Sequence, residues 1–161
     1  VTVSTTASMS VESAHGVTVT ADAHVDDADL SDADLLFLPG GMPGAKNLLE
    51  HETVCAAVVD HCRQGKLTAA ICAAPMVLGQ NGLLEGRKAT CYPGFEHLLT
   101  GADYTAKLVT VDGNIITGRG PGAAMELGYQ LLAQFVPAEQ VQALRDGMIY
   151  SQMAAEIIAN G

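Results

Sequence analysis

The chain has 161 residues, of which 48% are hydrophobic, and its 18 acidic and eight basic side chains give a formal net charge of −10. A surface this acidic repels phosphate backbones and anionic lipid, so we expect neither nucleic acid nor a membrane as a partner. The length is typical of one domain, and we predict a single domain over residues 1–161.

The four cysteines lack the paired spacing of a zinc site, and no secretory signal is visible in the sequence. They are Cys55, Cys62, Cys72 and Cys91. Cysteines of this kind are typical of reduced thiols, so we predict a cytoplasmic protein with no metal and no cofactor. All apolar runs are shorter than the roughly 18 residues of a membrane span.

The first part of the chain alternates apolar and polar residues. This pattern predicts a strand at Val1–Thr6 and, after a turn at His15-Gly16, another at Val17–Thr20. The aspartate-rich segment 22–34 fails as a calcium loop, because counting from Asp27 places aspartate where glycine is required and leucine at the final ligand position. We interpret it as a solvated acidic segment.

The rest of the chain alternates apolar strands with helical patterns. In chain order we predict a strand at 34–38 buried on both faces, a helix at 43–64, a strand at 67–71, a helix at 75–81 and a strand at 88–91. Strands at 108–111 and 114–117 follow, on either side of the tight turn Asp112-Gly113. Residues 118–122 open a helix that continues to about 135, and a last helix runs from 137 or 138 towards 148. Residues 150–161 form an amphipathic tail. The order predicts an α/β fold with a mostly parallel sheet and helices on both faces.

Cys72 is the strongest candidate for chemistry. It follows the apolar strand 67–71 and precedes the turn Ala73-Ala74-Pro75, where the start of a helix favours a nucleophilic thiolate. Gly40-Gly41 ends another strand, and the N–H groups of Gly41 and Ala73 are the natural pair to bind an oxyanion beside it. A buried structural thiol is the alternative interpretation of Cys72.

The other reactive residues are less distinctive. None of the histidines forms a pair at metal spacing; we place His51 and His61 on the solvent side of their helix and His97 near the carboxyl edge of the sheet, as a candidate base. Cys91 is a candidate resolving thiol for Cys72, whereas Cys55 and Cys62 are predicted to pack on their helix. Arg119 either contacts an anion near the site or is an ordinary surface arginine.

Three motifs in register resemble the ThiJ/PfpI (DJ-one) family, closest to its bacterial YajL-like branch. They are Leu38-Pro39-Gly40-Gly41, Ala70-Ile71-Cys72-Ala73-Ala74-Pro75 and Arg119-Gly120-Pro121-Gly122. The resemblance implies a flavodoxin-like three-layer sandwich, a homodimer, Cys72 as nucleophile, and Gly41 and Ala73 as oxyanion donors. It also suggests substrate contacts at Gly40, Tyr92, Arg119 and Pro121.

The chain departs from this family in two respects. Family members begin with a strand and helix that carry a glutamate beside the cysteine, and this unit is absent from the 161 residues. We therefore expect a separate N-terminal segment to supply it. Tyr92 stands where the DJ-one branch has a histidine, and Ala73 stands where the peptidase branch has one, which removes the base that peptide hydrolysis needs.

The resemblance implies glyoxalase or deglycase chemistry on reactive carbonyls and protection against oxidative stress. The alternatives are a non-catalytic redox sensor or a chaperone. A cysteine peptidase and a role in thiazole biosynthesis are the less favoured possibilities.

Overall fold

The computed structural model describes residues 1–160, which form ten strands and six helices. The strands are β1 (Val3–Ser4), β2 (Ser10–Glu12), β3 (Thr18–Thr20), β4 (Ala23–His24), β5 (Leu35–Leu38), β6 (Leu67–Ile71), β7 (Lys88–Ala89), β8 (Asp103–Tyr104), β9 (Val109–Asp112) and β10 (Ile115–Gly118). The helices are α1 (Gly44–Glu50), α2 (Glu52–Arg63), α3 (Pro75–Gln80), α4 (Ala124–Leu132), α5 (Ala138–Gly147) and α6 (Tyr150–Asn160).

The central sheet has the strand order β5-β6-β10-β9. β5, β6 and β10 run parallel, and β9 is antiparallel to β10. The β9–β10 hairpin confirms the predicted tight turn, with Gly113 at φ 58° and the two-residue loop at Gly113-Asn114. Three two-stranded pairs complete the strands of residues 1–160: β1 with β4, β2 with β3, and β7 with β8.

Helices cover both faces of the central sheet, as its alternating side chains require. Ile115 packs into the larger core with Val58 of α2 and Leu78 of α3. The next residue, Ile116, points to the other face and packs with Leu127 of α4. The α/β sandwich with a mostly parallel sheet is thereby confirmed.

Two predicted elements differ in the structure. β5 was expected to be buried on both faces, but Phe37 is 45% exposed and Leu35 and Leu36 are only half-buried. Within residues 1–160, β5 pairs with β6 on one side only, which explains the exposure. The predicted helix 43–64 is two helices, because His51 is extended at ψ 107° and separates α1 from α2.

The strand predicted at Val1–Thr6 is only β1, and β2, β4 and β8 were not predicted. Segment 22–34, interpreted as solvated, contains β4 and the buried Val25. The remaining differences lie at the ends of elements. The strand predicted at 88–91 covers only β7, because Thr90 N–H donates to the Thr117 side-chain oxygen at 2.9 Å rather than to a neighbouring strand. α4 ends at Leu132 instead of continuing to about 135, and the amphipathic tail forms α6 up to Asn160. Among the described residues, no helix has the length and apolar character needed to cross a membrane.

Candidate active site

Cys72 lies directly after β6 in a conformation that L-residues rarely adopt, with φ at 63°. Two backbone hydrogen bonds hold it there: its N–H donates to the Gly118 carbonyl at 2.9 Å, and its carbonyl accepts from Tyr92 N–H at 2.9 Å. Such backbone strain costs on the order of 1–3 kcal/mol and persists where the surroundings impose it. The half-buried Cys72 thiol is thus held above the carboxyl end of the sheet.

Gly40 packs against Cys72 more closely than any other residue type would allow. A Cβ atom at Gly40 would lie 2.5 Å from Cys72 Cβ and 2.6 Å from the Ile71 carbonyl oxygen. Gly41 follows at φ 91°, a conformation that favours glycine. The predicted meeting of the β5 and β6 ends is therefore present in the structure.

The two N–H groups predicted to bind an oxyanion are available beside Cys72. Among residues 1–160, neither Gly41 N–H nor Ala73 N–H donates a hydrogen bond to the protein. Ala73 is buried, where backbone donors are normally paired, so its free N–H suits an incoming acceptor, whereas Gly41 is exposed and its N–H is open to solvent. Their role as oxyanion donors stays a prediction.

Tyr92 and the loop after β10 form another wall. The Tyr92 ring lies next to Gly120, where an added Cβ would be 3.1 Å from the ring, and the Tyr92 side chain is 46% exposed. Pro121 is exposed and begins a single turn of 3-10 helix before α4. The structure thus brings Tyr92 and Gly40 directly to Cys72, with Pro121 on the loop beyond Gly120.

Arg119 belongs to a polar network that the sequence patterns did not reveal. Its Nη1 donates to the Tyr104 hydroxyl at 2.9 Å and to the Ala106 carbonyl at 2.7 Å. Glu96 accepts from Gly94 N–H at 2.7 Å and also from the Tyr104 hydroxyl. Tyr104 therefore links Arg119 to Glu96, and the network ties down the segment that follows Tyr92.

The charges of this network agree with its hydrogen bonds. Backbone N–H donors, its own and that of Gly94, hold the pKa of Glu96 below its ordinary value, and the Tyr104 hydroxyl and the Arg119 charge act in the same direction. Partial burial raises the pKa of Tyr104. Glu96 and Tyr104 carried no sequence signal beyond their position after Tyr92-Pro93-Gly94.

Cys91 is a fully buried thiol beside this network. Burial, together with the negative charges of Glu96 and Cys72, raises the pKa of Cys91 to about 11, and the Arg119 charge acts in the opposite direction. Cys91 is therefore protonated at neutral pH.

The family is decided by most of the sequence rather than by the site alone. Residues 1–134 match the model of the DJ-1/PfpI family. The chain belongs to this family. DJ-1 homolog B of Arabidopsis thaliana is 42% identical over 81% of the chain, which spans 30% of that relative's length.

Two further comparisons agree with this assignment. A protein of Pyrococcus abyssi named as a deglycase is 36% identical over 67% of the chain and 66% of its own length. The structure of oxidized DJ-1 from Toxoplasma gondii superposes with a TM-score of 0.85 at 33% identity, covering 91% of this chain and 80% of that one. The DJ-1/PfpI fold of such structures is the one observed here.

Among residues 1–160 of this DJ-1/PfpI chain, no hydrogen bond joins Cys72 to His51, His61 or His97, or to the two cysteines of α2, Cys55 and Cys62. His61 was expected on the solvent side, but it is buried and its Nε2 donates to the Leu67 carbonyl at 3.0 Å. His51 is half-buried, and His97 is exposed on a short 3-10 turn. Cys55 and Cys62 pack on α2 as predicted, with the Cys55 thiol donating to the Leu49 carbonyl at 3.1 Å.

Among residues 1–160 the structure contains no group of three or more histidine, cysteine, aspartate or glutamate residues arranged to hold a metal ion.

Proposed function

We propose that this chain is a cysteine-dependent enzyme of the DJ-1/PfpI family that acts on small reactive carbonyls or their protein adducts, with glyoxalase or deglycase chemistry. The observation that carries the proposal is the Cys72 conformation: a half-buried thiol at φ 63° next to two free backbone N–H groups. The naming of the Pyrococcus abyssi relative as a deglycase supports the choice of reaction.

The first chemical step follows from these groups. The Cys72 thiolate forms a C–S bond to the aldehyde carbon, and the electron pair of the C=O double bond moves onto oxygen. The N–H groups of Gly41 and Ala73 stabilise this alkoxide, and each such donor is worth about 10²–10³ in rate in related oxyanion sites. Protonation of the oxygen then yields a hemithioacetal.

The proposal includes partners outside these 161 residues. A glutamate on a separate N-terminal segment would exchange the proton with substrate, and a second copy of the chain would complete a homodimer. Tyr92, Arg119 and Pro121 would contribute to the substrate walls together with Gly40. We also propose that the protein works in the cytoplasm, in protection against oxidative stress.

The experiment compares methylglyoxal consumption by the parent protein and by Cys72→Ser. The hydroxyl of serine keeps the size of the side chain but is a much weaker nucleophile without an adjacent base, so we expect consumption to fall to background. Cys55→Ser is the matched control, because its thiol donates to a carbonyl on α1 and serine can keep that hydrogen bond. Consumption by Cys72→Ser at the parent rate would refute the proposal.

A redox sensor without turnover, with or without chaperone activity, is the second candidate. It is favoured by the position of Cys91, a second free thiol in the segment hydrogen-bonded to Cys72. Oxidation of Cys72 by mild peroxide, in a protein that consumes no methylglyoxal, would favour this function over the enzyme.

A further inference from the structure

Cys91 and Cys72 are neighbours across adjacent stretches of backbone. Tyr92, the residue after Cys91, donates its N–H to the Cys72 carbonyl at 2.9 Å. Cys72 and Cys91 lie just beyond the ends of β6 and β7, and this one bond brings the two backbones to about the 4.8 Å separation of neighbouring strands. A disulfide joins Cα atoms about 4.4–6.8 Å apart, so the backbone separation at this pair falls within reach of one.

The charges support the same proximity. The negative charge of Cys72 contributes to the raised pKa of Cys91, so the two sulfur atoms are close enough to interact electrostatically. Both thiols are free in the structure. Cys72 is partly accessible to solvent, whereas Cys91 is completely buried.

The other two cysteines are placed where they cannot substitute for Cys91. The Cys62 carbonyl accepts a hydrogen bond from the side chain of Asn114, the residue before β10, at 2.9 Å. Cys72 is instead hydrogen-bonded to Gly118, the last residue of β10. Four residues of strand separate these points by about 13 Å. Cys55 lies further along α2 and contacts Leu48 and Leu49.

We propose that Cys91 is the resolving thiol of a redox switch on Cys72, which rests on Cys72 being the reactive nucleophile of the proposed function. The Cys72 thiolate attacks the terminal oxygen of a hydroperoxide, the O–O bond breaks, and Cys72 becomes a sulfenic acid; the hydroxide or alkoxide that leaves takes a proton from solvent to give water or an alcohol. The Cys91 sulfur then attacks the Cys72 sulfur: an S–S bond forms, the S–O bond breaks, and water leaves with the Cys91 proton.

The disulfide removes the nucleophile from the site and protects it from further oxidation. Sulfenic acid exposed to more peroxide becomes sulfinic acid, which is irreversible in most proteins, whereas a disulfide is reduced again by thiols. Because Cys91 is buried and protonated at neutral pH, its attack on the Cys72 sulfenic acid is slow. The disulfide therefore forms at low peroxide doses, where oxidation of the sulfenic acid to sulfinic acid is slower still. The pair therefore provides a reversible inactive state.

Trypsin places Cys72 and Cys91 in different peptides, which makes the test direct. Cleavage after Lys66, Arg87, Lys88 and Lys107 places Cys72 alone in peptide 67–87 and Cys91 alone in peptide 89–107, whereas Cys55 and Cys62 share peptide 47–63. The full protein is treated with equimolar hydrogen peroxide, alkylated under denaturing conditions and mapped without reduction. We expect peptides 67–87 and 89–107 to appear as one linked species that dithiothreitol separates.

Two variants sharpen the result. In Cys91→Ser the linked species must be absent, and the fraction of Cys72 found as sulfinic acid should rise severalfold at the same peroxide dose. Cys62→Ser, another buried cysteine, should behave as the parent protein does.

If the parent and Cys91→Ser form equal amounts of sulfinic acid at Cys72, and Cys91 of the parent is recovered fully alkylated, the switch is overturned while Cys72 remains the nucleophile. A Cys72 that neither peroxide nor iodoacetamide modifies would overturn both the switch and the proposed function.

Discussion

Replacing Gly40 with alanine tests whether the close approach of β5 to β6 holds Cys72 in its reactive conformation. The new Cβ atom would lie 2.5 Å from Cys72 Cβ and 2.6 Å from the Ile71 carbonyl oxygen. Ile71 is in the central sheet and Cys72 is held by two backbone hydrogen bonds, so neither can yield without breaking ladder contacts. The overpacking must be relieved by moving the Gly40 loop or Cys72 itself.

We expect Gly40→Ala to lower the free energy of unfolding by about 1–3 kcal/mol, the usual cost of overpacking. With a urea m-value of about 2 kcal/mol/M, a loss of 2 kcal/mol lowers the unfolding midpoint by about 1 M. A displacement of Cys72 near 1 Å is also expected to slow methylglyoxal consumption by about 10²-fold. Urea denaturation and the consumption assay measure the two effects separately.

Gly44→Ala is the matched control, because an added Cβ at Gly44 meets no atom within 4 Å and Gly44 is the first residue of α1. Its stability should equal or slightly exceed that of the parent. If Gly40→Ala has the midpoint and the activity of Gly44→Ala, the reasoning about the β5–β6 contact is wrong.

Two predictions concern the network and the buried thiol next to the site. The pKa of Glu96 is lowered in the folded protein, so the contribution of Glu96 to stability is complete above its ordinary pKa and is lost as the pH falls through the lowered value. We therefore expect the difference in urea midpoint between the parent and Glu96→Gln to shrink on acidification through this range. A difference that does not change with pH would contradict this prediction. Because the pKa of Cys91 is raised to about 11, iodoacetamide at pH 8 should label Cys72 and leave Cys91 unlabelled in the native protein. Peptide mapping checks this, and equal labelling of peptides 67–87 and 89–107 would show that Cys91 is not buried as described.

The local features of the site were predictable because they depend on short-range conformational rules. An apolar strand followed by small residues and proline predicted the turn at Cys72, and Asp112-Gly113 predicted the β9–β10 hairpin, which the structure places one residue further along. Gly40-Gly41 was expected near Cys72 because the ends of parallel strands meet at one edge. The three motifs together also predicted the family, which residues 1–134 confirm.

The errors arose where burial depends on neighbours distant in the chain. His61 was placed in solvent from its helix position, but the Leu67 carbonyl gives its ring a hydrogen-bond partner in the interior. Phe37 was expected inside from its apolar strand, yet β5 has a strand on only one side among the described residues. The helical period also continued through His51, which the structure shows to be extended.

The amino-acid sequence by itself determined which residues can react and which backbone conformations are open to them: a thiol at a strand end, glycines that permit close approach, and helices set by a 3.6-residue period. Only the tertiary structure decided that Tyr104 links Arg119 to Glu96 and that Cys91 lies buried beside Cys72. The physical reason is that hydrogen bonds and electrostatic interactions depend on distances across strands, and residues up to 23 positions apart acquire those distances only when the sheet assembles.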